Sequence, residues 1–315
     1  MNAARALLSG LIDYAGLFPP AKLDMEHALA EYQTLRAGPC AWMGGRFIVP
    51  ASRLAEFDSH VEANSNFPLS VILDAGHDAR SWFEQARQRI GFVTSRLSAS
   101  GVTRAEVLEI PMPAPAAARE TFDAPVGQLS ALMRNAGLSD MPVYVELPRV
   151  ALREERLPNA FAALARYGLR AKIRCGGASN LTPSTDELAQ FILQAARHAV
   201  AFKATAGLHH ALPYEEAPGE PNAHGFLNLL AASVFAWEAA AAELVPLILQ
   251  ERSWGAFVVT ERELQWRDRA AALAQIENAR RNGFVSYGSC SFQEPVGDLL
   301  ALGLLPTDGA HALLG

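Results

Sequence analysis

Short runs of apolar residues alternate with longer segments of helical hydrophobic periodicity along most of this chain. The runs are bounded by glycine, proline or acidic residues, as buried strands usually are, and lie near residues 12, 47, 72, 108, 144, 172, 202 and 286. Eight strands, each followed by a helical segment, predict a closed (β/α)8 barrel. An open doubly wound sheet is the alternative, and the missing glycine-rich turn after the first strand disfavours it.

The regular alternation stops after the seventh strand, where a loop rich in proline and acidic residues begins. Phe257–Val259 predicts a small strand outside the main sheet, and helical periodicity returns over 270–282. A last helix is expected to open at Asp298. We therefore expect one (β/α)8 barrel domain over residues 1–315, with a long loop and helical insertion at 208–269 after the seventh strand.

The composition is that of an ordinary globular protein, with 50% apolar and 19% charged residues. A net charge of -6 without any basic run argues against a nucleic-acid partner. No apolar stretch predicts a membrane span, and the N-terminus lacks the apolar core of a secretory signal. The three cysteines, Cys40, Cys175 and Cys290, are too scattered for a disulfide framework. We expect a cytoplasmic protein with a small-molecule partner, and self-association into a homo-oligomer is left open.

Charged residues recur at or near the C-terminal ends of the predicted strands. They are Asp13, Asp74, Glu109, Glu146, Lys172, Arg174 and Lys203. Because strand side chains alternate, Lys172 and Arg174 share one face of their strand and Ile173 takes the other. In a (β/α)8 barrel the C-terminal strand ends form the catalytic mouth. Structural ion pairs are the alternative explanation, but such pairs do not favour one end of a barrel. The pattern therefore predicts an active site.

Lys203 is the first candidate for a nucleophile. Lys172 and Arg174 on the neighbouring strand, together with apolar walls, would disfavour its ammonium form and lower its pKa. A neutral amine forms Schiff bases with carbonyl substrates. In this scheme Lys172 lowers the pKa of Lys203, Arg174 holds a substrate anion, and Glu146, Glu109 or a loop histidine moves the proton. If Glu109 or Glu146 pairs with Lys203 instead, the ammonium form is stabilised.

A short string around Lys203 resembles a known enzyme family. Its residues are Phe202, Lys203, Ala204, Thr205, Ala206 and Gly207. They resemble the Schiff-base strand of class I aldolases of the deoxyribose-phosphate type. The resemblance implies a (β/α)8 barrel with lysines paired on neighbouring strands, with Lys203 as the Schiff-base residue and Lys172 as its electrostatic partner.

Three histidines near the seventh strand suggest a different chemistry. His209, His210 and His224, with Asp13, Glu109, Glu146 or Cys290, have the side chains to hold a divalent metal ion. Their spacing matches neither HExxH nor a helical i, i+4 pair. Without a metal, His209 and His210 are candidates for substrate binding or proton transfer.

Four further residues are candidates for substrate binding. Ser289 and Ser291 lie in a glycine- and hydroxyl-rich turn between the last strand and a helix, where barrels often cradle phosphate. A tight turn built from small side chains is the alternative. Asp13 and Asp74 complete the set through their places at strand ends.

The sequence therefore predicts a cofactor-free enzyme acting on a small carbonyl or carboxylate compound, by lyase or aldolase chemistry through a Schiff-base lysine. The alternatives are a metal-dependent lyase or hydrolase, and a non-catalytic barrel that binds a small molecule. We also expect the loop over 208–222 to act as a lid, because it is long, polar and attached to the Lys203 strand.

Overall fold

The predicted barrel is present in the structure of the protein, a computed structural model. It describes residues 2–62, 66–76, 78, 81–99, 104–114, 122–153, 155–177, 181–215, 223–237 and 242–305. Eight parallel strands close on one another. They are β1 (Ile12–Tyr14), β2 (Gly44–Pro50), β3 (Pro68–Ile72), β4 (Arg104–Pro111), β5 (Val143–Glu146), β6 (Arg170–Arg174), β7 (Phe202–Thr205) and β11 (Phe284–Ser289). β11 pairs with both β7 and β1, which closes the barrel and confirms the predicted fold class.

Helices follow the strands and cover the outside of the barrel. They are α1 (Ala3–Leu8), α2 (Met25–Ala37), α3 (Leu54–His60), α4 (Trp82–Ala99), α5 (Asp123–Asn135), α6 (Leu157–Tyr167), α7 (Thr185–Arg197), α8 (Phe226–Ala236), α9 (Leu244–Gln250), α10 (Leu273–Asn282) and α11 (Gln293–Ala301). Side chains cap several of the helix starts: Asn2 accepts from the Arg5 amide, Asp24 accepts from the His27 amide, and Ser184 forms a capping box with Glu187. Within the part of the chain that the structure describes, no helix is both long and apolar enough to cross a bilayer.

Strand alternation sorts the side chains of the barrel into two layers. The outward residues, such as Val145, Ala171 and Ile173, are fully buried against the helices. The inward residues include the buried charges Lys172 and Lys203, which an apolar barrel core would exclude. The interior of this barrel is therefore polar at its centre, and every charge there needs a partner.

The segment between β7 and β11 holds more structure than the sequence indicated. The predicted strand Phe257–Val259 forms as β8, but it belongs to a three-stranded antiparallel sheet with β9 (Glu263–Trp266) and β10 (Arg269–Ala272). The prediction of helix over 270–282 was therefore wrong at its start, because Arg269–Ala272 pairs with β9.

The predicted start of the last helix was also wrong. α11 begins at Gln293, and Asp298 lies inside it. The Asp298 carboxylate accepts a hydrogen bond from the backbone amide of Ala211 at 2.7 Å instead of capping a helix. This bond ties the inserted segment to the end of the barrel.

Two glycines set the spacing of β6 and β7 at the C-terminal end. A Cβ added at Gly176 would fall against the backbone of Gly207, which has a φ of +68°. We expect Gly176→Ala to destabilise the protein by about 1–3 kcal/mol in urea unfolding, because the two loops must move apart. Gly91, in α4, has nothing within 4 Å of an added Cβ, so Gly91→Ala should instead stabilise by roughly 0.5–1 kcal/mol. Equal effects of the two substitutions would contradict this account.

Candidate active site

A row of alternating charges crosses the inside of the barrel. We call it the barrel cluster, and its members in order of contact are Asp13, Lys203, Glu109, Lys172, Glu146 and Arg174. These residues come from β1, β4, β5, β6 and β7. The cluster holds three cations and three carboxylates, so it is neutral as a whole.

Lys203 lies at the deep end of the barrel cluster, with a side chain only 1% exposed. Its Nζ lies 2.7 Å from Asp13 Oδ2, pairs with Glu109 Oε1, and donates to Ser70 Oγ at 3.0 Å. The ring of Tyr144 lies 5.4 Å from the ammonium, at cation–π distance. Lys203 is therefore enclosed by anions and an aromatic face.

The other half of the barrel cluster is built around Lys172. Its Nζ lies 2.6 Å from Glu109 Oε2 and 2.9 Å from Glu146 Oε2. Arg174 Nε lies 3.3 Å from Glu146 Oε1, so one carboxylate bridges two cations. Exposure rises along this half, from 5% for the Lys172 side chain to 39% for Arg174. The cluster thus runs from the closed interior toward solvent.

The carboxylates are fixed by further hydrogen bonds. Glu109 Oε1 accepts from Ser70 Oγ at 2.6 Å. Asp13 accepts from Ser286 Oγ at 2.8 Å and from the backbone amide of Arg46 at 2.6 Å. Both serine hydroxyls donate to the carboxylate oxygens that contact Lys203, so these neutral donors fix the acidic side chains around its ammonium group.

The expected low pKa of Lys203 was wrong. Burial alone lowers its pKa, but the carboxylates of Asp13 and Glu109 outweigh burial and raise the pKa above 10.5. Lys172 behaves in the same way: burial opposes its charge, while Glu109 and Glu146 raise its pKa. Burial also opposes ionisation of Glu109, yet the two lysines hold its pKa well below 4.5. Lys172 and Lys203 are direct partners in the strand register, but Glu109 lies between their ammonium groups and reverses the expected effect.

A cavity of about 690 Å³ opens above the barrel cluster, at the C-terminal ends of the strands. Its described lining includes Glu146, Lys172 and Arg174 from the cluster. The rest of the wall is Ala15, Phe18, Pro19, Pro20, Ile48, Ile72, Pro111, Gly177, Thr205, Ala206, Gly207, Leu208, His209, Gly288, Ser289 and Cys290. We call this space the mouth cavity. Lys203 and Glu109 are buried beneath it, so among the cluster lysines Lys172 is the one that faces the mouth cavity.

Asp74 was expected at this mouth, and the structure places it elsewhere. It lies beyond the end of β3, accepts from the Ser52 amide at 3.2 Å and pairs with Arg89 at 3.1 Å. Side-chain alternation along a strand does not extend into the following turn, which is why its predicted direction failed.

The three histidines do not converge on one point. His209 lines the mouth cavity and contacts Glu294 Oε2 at 2.9 Å, whereas His210 contacts Asp298 Oδ2 at 3.2 Å. His224 is buried and contacts the Pro183 carbonyl oxygen at 3.0 Å through Nε2. Among the described residues, no group of three or more histidine, cysteine or carboxylate side chains is placed to hold one metal ion. His209 is thus the histidine positioned to contact a substrate.

The two serines of the last strand-to-helix turn have different roles. Ser289 lines the mouth cavity, and its hydroxyl donates to the Ser291 carbonyl oxygen at 2.6 Å. Ser291 Oγ accepts from the Glu294 amide at 3.2 Å, at the start of α11. Ser291 therefore holds the helix start and does not line the mouth cavity, contrary to its predicted role in binding.

The predicted lid is described only over 208–215, because 216–222 lies outside the described residues. The described part is anchored at its far end: Tyr214 and Ala223 exchange backbone hydrogen bonds of 3.3 and 2.8 Å. Closure of this segment over the mouth cavity stays a prediction.

No protein-family model matches the chain, and no curated protein matches it in sequence. Among solved structures it is similar to the tetrameric deoxyribose phosphate aldolase from Aeropyrum pernix, with 13% identity, a TM-score of 0.48, and coverage of 66% of this chain and 80% of that chain. It is also similar to an aldolase named QR15, with 15% identity, a TM-score of 0.47, and coverage of 65% and 83%. Similarity at this level concerns the fold alone.

Sequence reasoning missed Ser70, Ser286 and Tyr144 as parts of the site. Ser70 and Ser286 are polar residues in otherwise apolar strands, both fully buried, at inward positions. A hydroxyl on the inner face of a barrel strand was the available signal, because a buried hydroxyl needs a hydrogen-bond partner.

Proposed function

We propose that the protein is an aldolase-type lyase in which Lys172 forms a Schiff base with a carbonyl substrate. One observation carries the proposal: Lys172 lines the mouth cavity and lies 2.9 Å from Glu146, a carboxylate that lines it too. An amine and a proton acceptor therefore face the same space, as imine formation requires. This assignment exchanges the roles that the sequence suggested for Lys172 and Lys203.

The proposed reaction begins with transfer of a proton from the Lys172 ammonium to Glu146. The freed amine attacks the carbonyl carbon of a β-hydroxy carbonyl compound, and water leaves to give the imine. Removal of the β-hydroxyl proton breaks the adjacent carbon–carbon bond, releases an aldehyde and leaves its electron pair in an enamine. A proton then returns to that carbon, and water hydrolyses the imine to free Lys172. The steps balance without any oxidant or reductant.

Lys203 is a positioning residue in this proposal. It pairs with Glu109 from below, and Glu109 in turn lies 2.6 Å from Lys172. A fixed cation at Lys203 keeps Glu109 ionised and in place, so that the Lys172 side chain is directed to the mouth cavity. Ser70 supports the same arrangement through its bond to Glu109.

Arg174 supplies a site for an acidic group of the substrate. Among the described residues, Glu146 is the only hydrogen-bond partner of its guanidinium, through Nε. The terminal nitrogens are thus available for a carboxylate. The single carboxylate of Glu146 contacts both Lys172 and Arg174, so these two cations lie close together. A substrate whose acidic group is bonded directly to its carbonyl carbon, as in a 2-oxo acid, therefore fits Lys172 and Arg174 together.

Imine formation should depend strongly on pH. Glu146 should determine the pH range over which its rate rises. Because the pKa of Lys172 is raised, the fraction of its side chain in the neutral amine form increases as the pH rises. The rate of borohydride trapping with pyruvate should therefore increase with pH. Glu146→Gln removes one of the two carboxylates that raise this pKa, which should move the rising limb to lower pH. It should also reduce the maximal turnover by roughly 10²–10⁴-fold, because the proton acceptor is lost.

Glu106→Gln is the matched control for this prediction. Glu106 also lies on a barrel strand, where it pairs with Arg46 at 3.1 Å, and it does not line the mouth cavity. The control should keep the pH profile of the unmodified protein. An unshifted limb in Glu146→Gln would remove Glu146 from the proposed mechanism.

A further inference from the structure

A second cavity of about 510 Å³ adjoins the mouth cavity, between the loops that follow β4, β5 and β6. We call it the side cavity. It shares Pro111, Glu146 and Arg174 with the mouth cavity, so the two spaces meet at the acid-binding end of the barrel cluster. Its other described lining residues are Met112, Ala114, Leu147, Pro148, Arg149, Leu152 and Leu181.

The described wall of the side cavity is largely apolar. Met112, Leu147 and Leu152 are buried side chains that turn part of their surface to it. Leu181 stands at its rim with 45% of its surface exposed, which is unfavourable in water and relieved when an apolar ligand covers it. Among the described residues of this wall, Arg149 is the cation that the mouth cavity does not share, and it is paired with Glu187 at 3.0 Å. The chemistry of the wall is therefore that of a small-molecule pocket, apolar with a few polar groups at one end.

We infer that the side cavity binds the apolar arm of the substrate, which makes the substrate class acidic carbonyl compounds with an aliphatic or aromatic substituent. The carbonyl part of this inference rests on the proposed function; the binding of an acid with an apolar chain does not.

The direction of the substrate's apolar arm follows from the two residues that would hold the substrate, Lys172 and Arg174. With the carbonyl carbon at Lys172 and the acidic group at Arg174, the rest of the molecule leaves either through the mouth or past Arg174 into the side cavity. The wall of the mouth cavity is mixed, since His209 and Ser289 are polar whereas Phe18, Ile48 and Ile72 are apolar. Arg174 lines both cavities, so a chain that continues past an acid bound there meets Leu152 and Leu181 of the side cavity, and burying apolar surface against them is favourable.

The test uses linear carboxylates that cannot form an imine: acetate, butanoate, hexanoate and octanoate. Isothermal titration calorimetry should show the Kd falling by up to about fourfold for each added methylene until the chain fills the side cavity. Leu181→Ser should weaken hexanoate binding by roughly three- to tenfold and leave acetate binding unchanged. Arg174→Gln should weaken all four acids, because it removes the shared anchor.

Leu247→Ser is the matched control, since Leu247 is 49% exposed on α9 and does not line the side cavity. It should bind every acid as the unmodified protein does. A Kd independent of chain length, an equal effect of the two leucine substitutions, or no binding of any acid would each overturn the inference. Borohydride trapping on Lys172 tests the proposed function separately. If the Kd depends on chain length but no mass is trapped, the imine mechanism is wrong and the inference about the side cavity stands. If mass is trapped but the Kd does not depend on chain length, only the inference about the side cavity is wrong.

Discussion

Replacing Lys172 with arginine is expected to abolish covalent trapping and to lower turnover by roughly 10³-fold or more. Arginine keeps a cation between Glu109 and Glu146, so the barrel cluster stays neutral and the fold is retained. It lacks the primary amine that becomes the imine nitrogen. Incubation with pyruvate and borohydride, followed by intact mass measurement, should show a mass increase in the unmodified protein and none in Lys172→Arg.

Peptide mapping of the trapped protein distinguishes the two lysines. The added mass should lie on Lys172, because Lys203 is 1% exposed and separated from the mouth cavity. Mass on Lys203 would restore the assignment that the sequence suggested. Activity that survives Lys172→Arg but disappears with a chelator would support the metal-dependent alternative, and binding without turnover in the unmodified protein would support a non-catalytic barrel.

The barrel could be predicted from the sequence because its strands bury both faces and therefore stand out as apolar runs. The antiparallel sheet of β8, β9 and β10 could not, except for β8. Its strand β10 reads Arg-Ala-Ala-Ala, residues with no preference for strands, and only pairing with β9 makes it one. Tertiary pairing decided the structure there, and a single sequence does not carry that information.

The membership of the site was largely predictable, but the depth of each side chain was not. Alternation correctly turned Glu109, Glu146, Lys172 and Lys203 inward. Lys172 and Lys203 occupy the same level in the strand register, so their sequence positions do not distinguish them. Their difference in depth comes from residues on β1 and β11. Asp13 on β1 pairs with the Lys203 ammonium inside the barrel, and Ser286 on β11 holds Asp13 in place by a hydrogen bond. Such contacts depend on which strands meet at barrel closure.

The largest expected effect on stability is that of Lys203→Met. Methionine is similar in length but removes the cation that Asp13 and Glu109 share, which leaves Lys172 as the lysine beside Glu109. Removing one partner of a buried ion pair costs about 3–5 kcal/mol, which urea unfolding at pH 7 measures directly. Arg166→Met is the control, because its pair with Asp123 has side chains 61% and 46% exposed and is worth about 0–1 kcal/mol. A similar loss in both variants would show that the charge of Lys203 is not what the barrel requires.

The pH dependence separates lost charge from lost packing. In the unmodified protein the pKa of Glu109 is lowered, so its contribution to stability is present above its ordinary value of 4.5 and is lost as pH falls below it. The pKa of Lys203 is raised, so its contribution is complete below 10.5 and is lost as pH rises through the higher folded value. Lys203→Met leaves the barrel cluster with one excess negative charge, which favours proton uptake by the folded state. The stability difference between the two proteins should therefore be greatest near neutral pH and shrink toward pH 4, whereas a packing defect would give a difference independent of pH.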